Sequence, residues 1–261
     1  MTNIYYQNEA ATLYDGDCLE ILSTLPEKSV DMIFADPPYN LSNGGITCHA
    51  GRMVSVNKGV WDKSNGIEID HEFTIRWLSE CHRLLKDNGT IWVSGTRHSI
   101  FSVGFAMQKL GYKLLNEIAW FKPNAAPNLS CRYFTHSHET IIWAAKNGKS
   151  KHKFNYKLMK EKAGGKQMRS LWIISTPGKN EKTFGKHPTQ KPLALLELIV
   201  LASTDPGSVV LDPFTGSSTT GVVSLRHNRI FIGIDNQKEY LELSVKRIEE
   251  EMAKKRFDLL A

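Results

Sequence analysis

The chain has 261 residues, 41% of them hydrophobic, enough for one large domain with a sizeable core. Its formal charge of +6 and pI near 9.0 favour a polyanionic partner without demanding one. Cys18, Cys48, Cys81 and Cys131 are widely spaced with no Cys-x-x-Cys pair, which argues against a disulfide framework and against a zinc site. The amino-terminal residues carry no signal pattern and no apolar run reaches membrane-spanning length, so a reduced, cytoplasmic setting without membrane attachment is expected.

In chain order, Tyr14-Asp15-Gly16-Asp17-Cys18 reads as a turn opening a short helix, with Leu19, Leu22 and Leu25 at helical spacing. Asp17 caps that helix or accepts from a ligand. The short apolar run Asp31-Met-Ile-Phe-Ala35 fits a buried strand of a parallel sheet, and it ends in Asp36-Pro37-Pro38-Tyr39. An acid at a strand's carboxyl end lies where open α/β sheets bind ligands. The prolines remove two backbone donors, which leaves nearby carbonyls free to accept.

That combination suits an amino group whose lone pair is delocalised into a nucleobase ring. The Asp36 carboxylate and the Pro37 carbonyl would take its two N–H bonds while Tyr39 stacks on a base drawn out of the helix. A plain surface turn would use the same four residues.

Residues 40–65 show no sustained periodicity and read as a long loop beside that corner, with Asn40, Ser42, Asn43, Arg52 and Lys58 able to reach a nucleic-acid backbone. Phe73, Trp77, Leu78, Cys81, Leu84 and Leu85 predict a helix stopped by Asp87-Asn88-Gly89. A strand over residues 90–94, a helix over 100–110 and strands over 113–121 and 140–145 follow, the alternation of a doubly wound sheet.

Residues 122–186 interrupt that rhythm. Asn124, Asn128, Arg132, Tyr133, Lys166 and Arg169 stand there among many lysines and aromatic residues, a composition suited to tracking phosphates and contacting bases. His187-Pro-Thr189-Gln-Lys191-Pro192 then leads into an apolar helix. A buried strand ends in Asp212-Pro213-Phe214-Thr215-Gly216-Ser217-Ser218-Thr219-Thr220-Gly221, which makes a small-residue cradle before the next helix.

A phosphate-binding P-loop needs lysine where Val222 stands, and no Gly-x-Gly-x-x-Gly opens the helix. A zwitterionic cofactor with a ribose fits better, and Asp235, at the tip of the next strand, is placed for ribose hydroxyls or as a cap for the final helix over 237–252.

Asp-Pro-Pro-Tyr, His-Pro-Thr-Gln-Lys-Pro and Asp-Pro-Phe-x-Gly-Ser, in that order, resemble the beta class of S-adenosylmethionine-dependent DNA amino-methyltransferases over nearly the whole chain. The resemblance implies a single methyltransferase domain over 1–261. It would have a Rossmann-like α/β sheet of seven strands, a circularly permuted motif order, target recognition at 122–186 and cofactor binding at 187–261.

It further implies catalytic roles for Asp36, Pro37, Pro38 and Tyr39. Cofactor contacts would come from Asp17, Cys18, Asp36, His187, Thr189, Lys191, Asp212, Phe214, Gly216, Ser217, Ser218, Thr219 and Asp235. The family loop usually carries a second glycine where this chain has Ser218, so either the backbone there avoids positive φ or cofactor affinity is reduced.

An aspartate opening the tetrapeptide points to adenine N6, and the stretch 124–136 looks like the second adenine methylases of GATC restriction systems. Some of those relatives accept single-stranded as well as double-stranded DNA, and many are dimers. Cytosine-N4 methylation and a non-catalytic DNA-binding module on the same fold are the alternatives. No cysteine follows the prolines to act as the thiol that ring-carbon methylation requires.

Overall fold

The computed structural model describes residues 3–39 and 62–260, with side chains as far as 257, together with the backbone of two short strands at 46–49 and 52–55. The main sheet is built from β1 (Ile4–Gln7), β2 (Ala11–Asp15), β3 (Val30–Ala35), β6 (Leu85–Gly95), β7 (Lys113–Phe121), β8 (His138–Ala145), β9 (Leu171–Ile173), β10 (Val209–Asp212) and β11 (Ile230–Asp235). Their spatial order is β1-β2-β11-β10-β3-β6-β8-β7-β9. The five strands from β2 to β6 in that order are parallel, and β8 runs against both its neighbours.

Seven strands are expected in the sheet, and nine are present among the described residues. The additional pair are the short edge strands β1 and β9, too brief to show a period in the sequence.

Alternation along β3 divides the core. Met32 and Phe34 face one side, where α5 (Leu193–Ser203), α6 (Thr219–Arg226) and α7 (Lys238–Leu260) pack. Ile33 and Ala35 face the other, against α1 (Cys18–Thr24), α2 (Ile67–Leu84) and α3 (Ile100–Lys109). Trp92 of β6 stacks on its cross-strand partner Trp143 of β8 with ring centroids 4.6 Å apart. Between β8 and β9 lies α4 (Tyr156–Lys162).

The structure departs from the sequence expectation in several places: Tyr14 and Asp15, read as part of a turn, close the strand β2, which pairs with β11. The α2 helix ends at Leu84, because Leu85 turns extended and pairs with Val30. Met32 then pairs with Thr90, so Asp87-Asn88-Gly89 is a bulge in the ladder and not a helix stop. The stretch 40–65 contains an antiparallel hairpin, β4 (Ile46–His49) with β5 (Arg52–Ser55), whose strands of four residues are too short for alternation to announce them. The α7 helix continues past Met252, since no glycine or proline follows to stop it.

The direction of winding reverses between β10 and β3. From β10 the chain passes through α6 to β11 on one side, and from β3 through α2 to β6 on the other. A crevice opens at such a switch point, outside the carboxyl ends of the strands. Asp36 and Asp212 stand at those two ends.

Among the described residues, no helix is long and apolar enough to cross a membrane, and no cluster of His, Cys, Asp and Glu is disposed to hold a metal.

Candidate active site

The crevice is a cleft of about 720 Å³ whose lining includes Asp36-Pro37-Pro38-Tyr39, Asp17, Cys18, His187, Thr189, Phe214, Gly216 and Asp235. The proline corner and the small-residue loop thus share one cavity. The carboxylates of Asp36, Asp212 and Asp235 follow three neighbouring strands, β3, β10 and β11.

Asp36 is tied on both oxygens. Its Oδ1 accepts from the Tyr39 hydroxyl and its Oδ2 from the Lys191 ammonium. The Tyr39 hydroxyl lies 2.9 Å from Ser94 Oγ and 3.2 Å from Oε2 of Glu139. Lys122 donates to the other oxygen of Glu139, and Lys191 Nζ stands 3.8 Å from Oε2. The result is a network of two carboxylates and two ammoniums, with the side chains of Asp36, Glu139 and Lys191 at most 13% exposed.

Burial pushes the Asp36 carboxyl above the usual carboxylate range, against the opposing pull of Lys191 and with the help of Glu139. Glu139 is also buried, but the ammoniums of Lys191 and Lys122 hold it below that range. Burial and the adjacent Asp36 raise the Tyr39 phenol well above its ordinary value, so it remains a neutral donor. Tyr39 is 5% exposed, and its backbone N–H donates at 2.9 Å to Asp62, which is itself buried.

The loop after β10 is held from both sides. The Gly216 N–H donates to Asp235 Oδ2 at 2.9 Å, and its carbonyl accepts from Ser244 Oγ of α7 at 2.8 Å. With φ at +50° and a would-be Cβ 2.9 Å from the His187 ring, Gly216 has no room for a side chain. Arg247, also on α7, donates to Ser217 Oγ and Thr219 Oγ1, each at 3.0 Å. Gly221 lets α6 approach Phe231 of β11, where a Cβ would lie 2.6 Å from the ring.

Ser218 adopts φ +50° and ψ +41°, so the backbone keeps the left-handed turn despite the missing glycine. Of the two alternatives set by Ser218, a backbone that avoids positive φ is therefore ruled out. The conformation costs a non-glycine residue about 1–2 kcal/mol, offset in part by bonds that the serine makes to Thr215, hydroxyl to hydroxyl at 2.9 Å and N–H to carbonyl at 2.7 Å.

The remaining expected residues fall into distinct places. Asp17 caps α1, accepting from Leu19 and Glu20, and still lines the cleft. Cys18 lines it as a neutral group, its thiol pushed up to about 12 chiefly by burial. Asp212 is buried and bonded to Phe214 N–H and the Thr220 hydroxyl, and desolvation raises it to about 7. Asp235, which also accepts from Gln237 N–H, is raised by burial to about 6. Ser217, Ser218 and Thr219 are buried, their hydroxyls bonded to Arg247 or Thr215.

Of the expected nucleic-acid contacts, Asn124 braces Thr176 through two hydrogen bonds and Asn128 holds the turn to Tyr133. Arg132, Tyr133, Lys166 and Arg169 are exposed. None of these six is part of the cleft lining. Asn40, Ser42, Asn43 and Lys58 lie outside the described residues, and of Arg52 only its place on β5 is described.

The stretch 122–186 is not wholly separate from the core. It supplies β8 and β9 to the sheet, and Lys146 turns inward to donate to the Leu85 carbonyl at 2.6 Å.

Glu139, Lys122, Ser94, Asp62, Ser244 and Arg247 were not singled out by sequence. Only Glu139 left a signal, an acid at the mouth of the apolar strand β8.

A crevice at this switch point, with an acidic rim and a glycine turn, is the site of an α/β transferase that takes a nucleoside-like cofactor. Residues 30–246 match the DNA methylase family, and the chain belongs to it. It is an S-adenosylmethionine-dependent DNA methyltransferase.

The chain is 55% identical over 249 residues to Type II methyltransferase M2.LlaDCHI of Lactococcus lactis subsp. cremoris, covering 95% of this chain and 93% of that protein. It is 55% identical over 252 residues to Type II methyltransferase M2.DpnII of Streptococcus pneumoniae, covering 96% and 94%. The crystal structure of the M1.HpyAVI-SAM complex superposes with a TM-score of 0.68 at 30% identity, covering 91% of this chain and 98% of that one.

The residues of the cleft fit the cofactor. Asp17 and Asp235 line the cleft and offer carboxylate acceptors to ribose hydroxyls and a cationic ligand, with the Gly216 turn beside them. Phe214, packed edge-on against Trp77 with centroids 5.4 Å apart, supplies an apolar wall.

Proposed function

We propose that this methyltransferase modifies the N6 amino group of adenine in a short DNA target, GATC being the first candidate, as the modifying partner of a restriction system. The observation that carries the proposal is the single cleft joining Asp36-Pro37-Pro38-Tyr39 to Gly216 and Asp235. It brings an amino-group acceptor and a cofactor seat side by side. The similarity to the Type II enzymes M2.LlaDCHI and M2.DpnII supports the restriction setting.

When bound, S-adenosylmethionine supplies an electrophilic methyl group, and the protein's part is to present the nitrogen. A flipped adenine reaches Asp36, whose carboxylate retains acceptor capacity beyond the two bonds it already receives. Asp36 takes one N–H and the Pro37 carbonyl the other, which localises the lone pair on nitrogen. Tyr39 leaves its hydroxyl bond and stacks on the base, while Pro38 holds the corner rigid. The substituted amino group passes its proton to solvent through Asp36.

Cofactor contacts fall to Asp17 and Cys18 near the adenine end, Asp235 at the ribose, Phe214 and Gly216 along the wall, and His187 and Thr189 at the far rim. Asp212, Ser217, Ser218 and Thr219 shape the loop from within. Arg132, Tyr133, Lys166 and Arg169 meet the DNA outside the cleft. Double-stranded DNA is the main substrate, single-stranded DNA a secondary one, and the enzyme works as a dimer in the cytoplasm.

Incubating the protein with DNA and labelled cofactor, followed by mass analysis of nucleosides, tests the reading. N6-methyladenine is the expected product, and N4-methylcytosine alone would replace it with the cytosine reading. Detection of modified bases in DNA from a host expressing the protein reads the target sequence.

A further inference from the structure

The carboxylate of Glu139 is absent from the cleft lining, yet it contacts almost everything that holds Asp36. It enters from β8, behind the corner. Its Oε2 faces the Tyr39 hydroxyl at 3.2 Å, Ser94 Oγ at 3.4 Å and Lys191 Nζ at 3.8 Å, while its Oε1 accepts from Lys122. Lys122 in turn lies over the Trp120 ring, 4.4 Å from its centroid, which fixes its position from the opposite side.

This arrangement addresses a difficulty in the chemistry. A carboxylate in direct contact with an ammonium is a weakened acceptor for a neutral N–H, so Asp36 polarises an amino group best when Lys191 moves off it. A buried ammonium cannot leave one anion without another to receive it. Glu139 is that second anion, already within ion-pair distance of Lys191.

We propose that Glu139 is a positioning residue for methyl transfer: it is the alternative seat to which the Lys191 ammonium turns as the target amino group arrives on Asp36. The inference rests on the assignment of Asp36 as the amino-group acceptor. The shift is short, and because both anions and both cations stay in the network no net charge is buried or released. Ser94 Oγ is within donor reach of Glu139 and Lys122 stays on its other oxygen while Lys191 is away. The other charged groups of the network are Lys122, which faces Glu139, and Asp212 at the end of β10, which acts on Lys191 and is itself raised in part by Asp36.

The test is the Glu139→Gln variant in steady-state methylation of DNA across pH. Without the second seat, Lys191 stays on Asp36, so kcat at the pH optimum should fall about tenfold with KM for the cofactor unchanged. Because the Glu139 charge raises the Asp36 carboxyl, its removal should also move the acid limb of kcat to lower pH. Glu139→Asp, which keeps the charge, should restore most of kcat and the parental acid limb.

If Glu139→Gln fails to fold, the double variant Lys122→Met with Glu139→Gln removes both charges of the pair and carries the same expectations. Parental kcat and acid limb in whichever neutral variant folds would overturn the proposal, as would a Glu139→Asp enzyme no faster than Glu139→Gln with an unmoved limb. The parent enzyme is run alongside, so absence of adenine methylation by the parent would instead undo the assignment of Asp36.

Discussion

Asp235 Oδ2 accepts the Gly216 N–H at 2.9 Å, which ties the tip of β11 to the loop that follows β10. The acid proposed to hold a ribose is therefore also the acid that sets the shape of the glycine turn. Replacing it by alanine removes the ribose acceptor and the turn's anchor together. Asp235→Ala should weaken cofactor affinity at least about tenfold, the equivalent of about 1.4 kcal/mol, measured by isothermal titration without DNA. An unchanged affinity would remove Asp235 from the cofactor site.

Ser218 should separate strain from hydrogen bonding. Glycine relieves the left-handed backbone but loses the hydroxyl contact with Thr215, whereas alanine keeps the strain and loses the contact. In urea denaturation, Ser218→Gly should stay within about 1 kcal/mol of the parent and Ser218→Ala should lose about 1–2 kcal/mol. Equal effects from both would mean that the turn carries no strain.

Asp212 makes stability depend on pH in a defined direction. Its carboxyl is raised to about 7 by burial, against an ordinary value of 3.8, so the folded protein binds a proton there that the unfolded chain does not. Its contribution to stability therefore rises as pH falls through about 7 and levels off below the unfolded value. Asp212→Asn lacks this titration. The gain in Tm from pH 8 to pH 6 should be smaller in Asp212→Asn than in the parent, both measured without cofactor, and an equal gain in the two proteins would contradict the assignment.

The same reasoning applies to Asp36 in catalysis, with a different outcome. Its carboxyl is raised, chiefly by burial, and the ionised form is the stronger acceptor of an N–H. The kcat should therefore decline toward acid along a limb that lies above the ordinary carboxylate range. A rate that stays flat down to that range would show that Asp36 ionisation does not govern the step.

The strand-end acids and the loops they open were legible because each lies in a contiguous stretch: a short apolar run that ends in an acid. Asp36, Asp212 and Asp235 all carry that local signature, and all stand at the crevice. The partners of Asp36 were not legible. Lys191 is 155 residues away and Glu139 is separated from Tyr39 by 100, so their meeting depends on sheet order, which no local pattern encodes. Ser244 and Arg247 were hidden for a related reason. A polar pair inside a long helix looks like its solvated face until the helix is seen to pack beneath the loop. The edge strands and the hairpin escaped because strands of three or four residues are shorter than the period that would reveal them.

The most direct measurement is single-turnover methylation of adenine-containing DNA by Asp36→Ala, with cofactor affinity measured on the same preparation. The variant should bind the cofactor within about threefold of the parent and form N6-methyladenine at least about 10²-fold more slowly. Methylation at the parental rate would contradict the account.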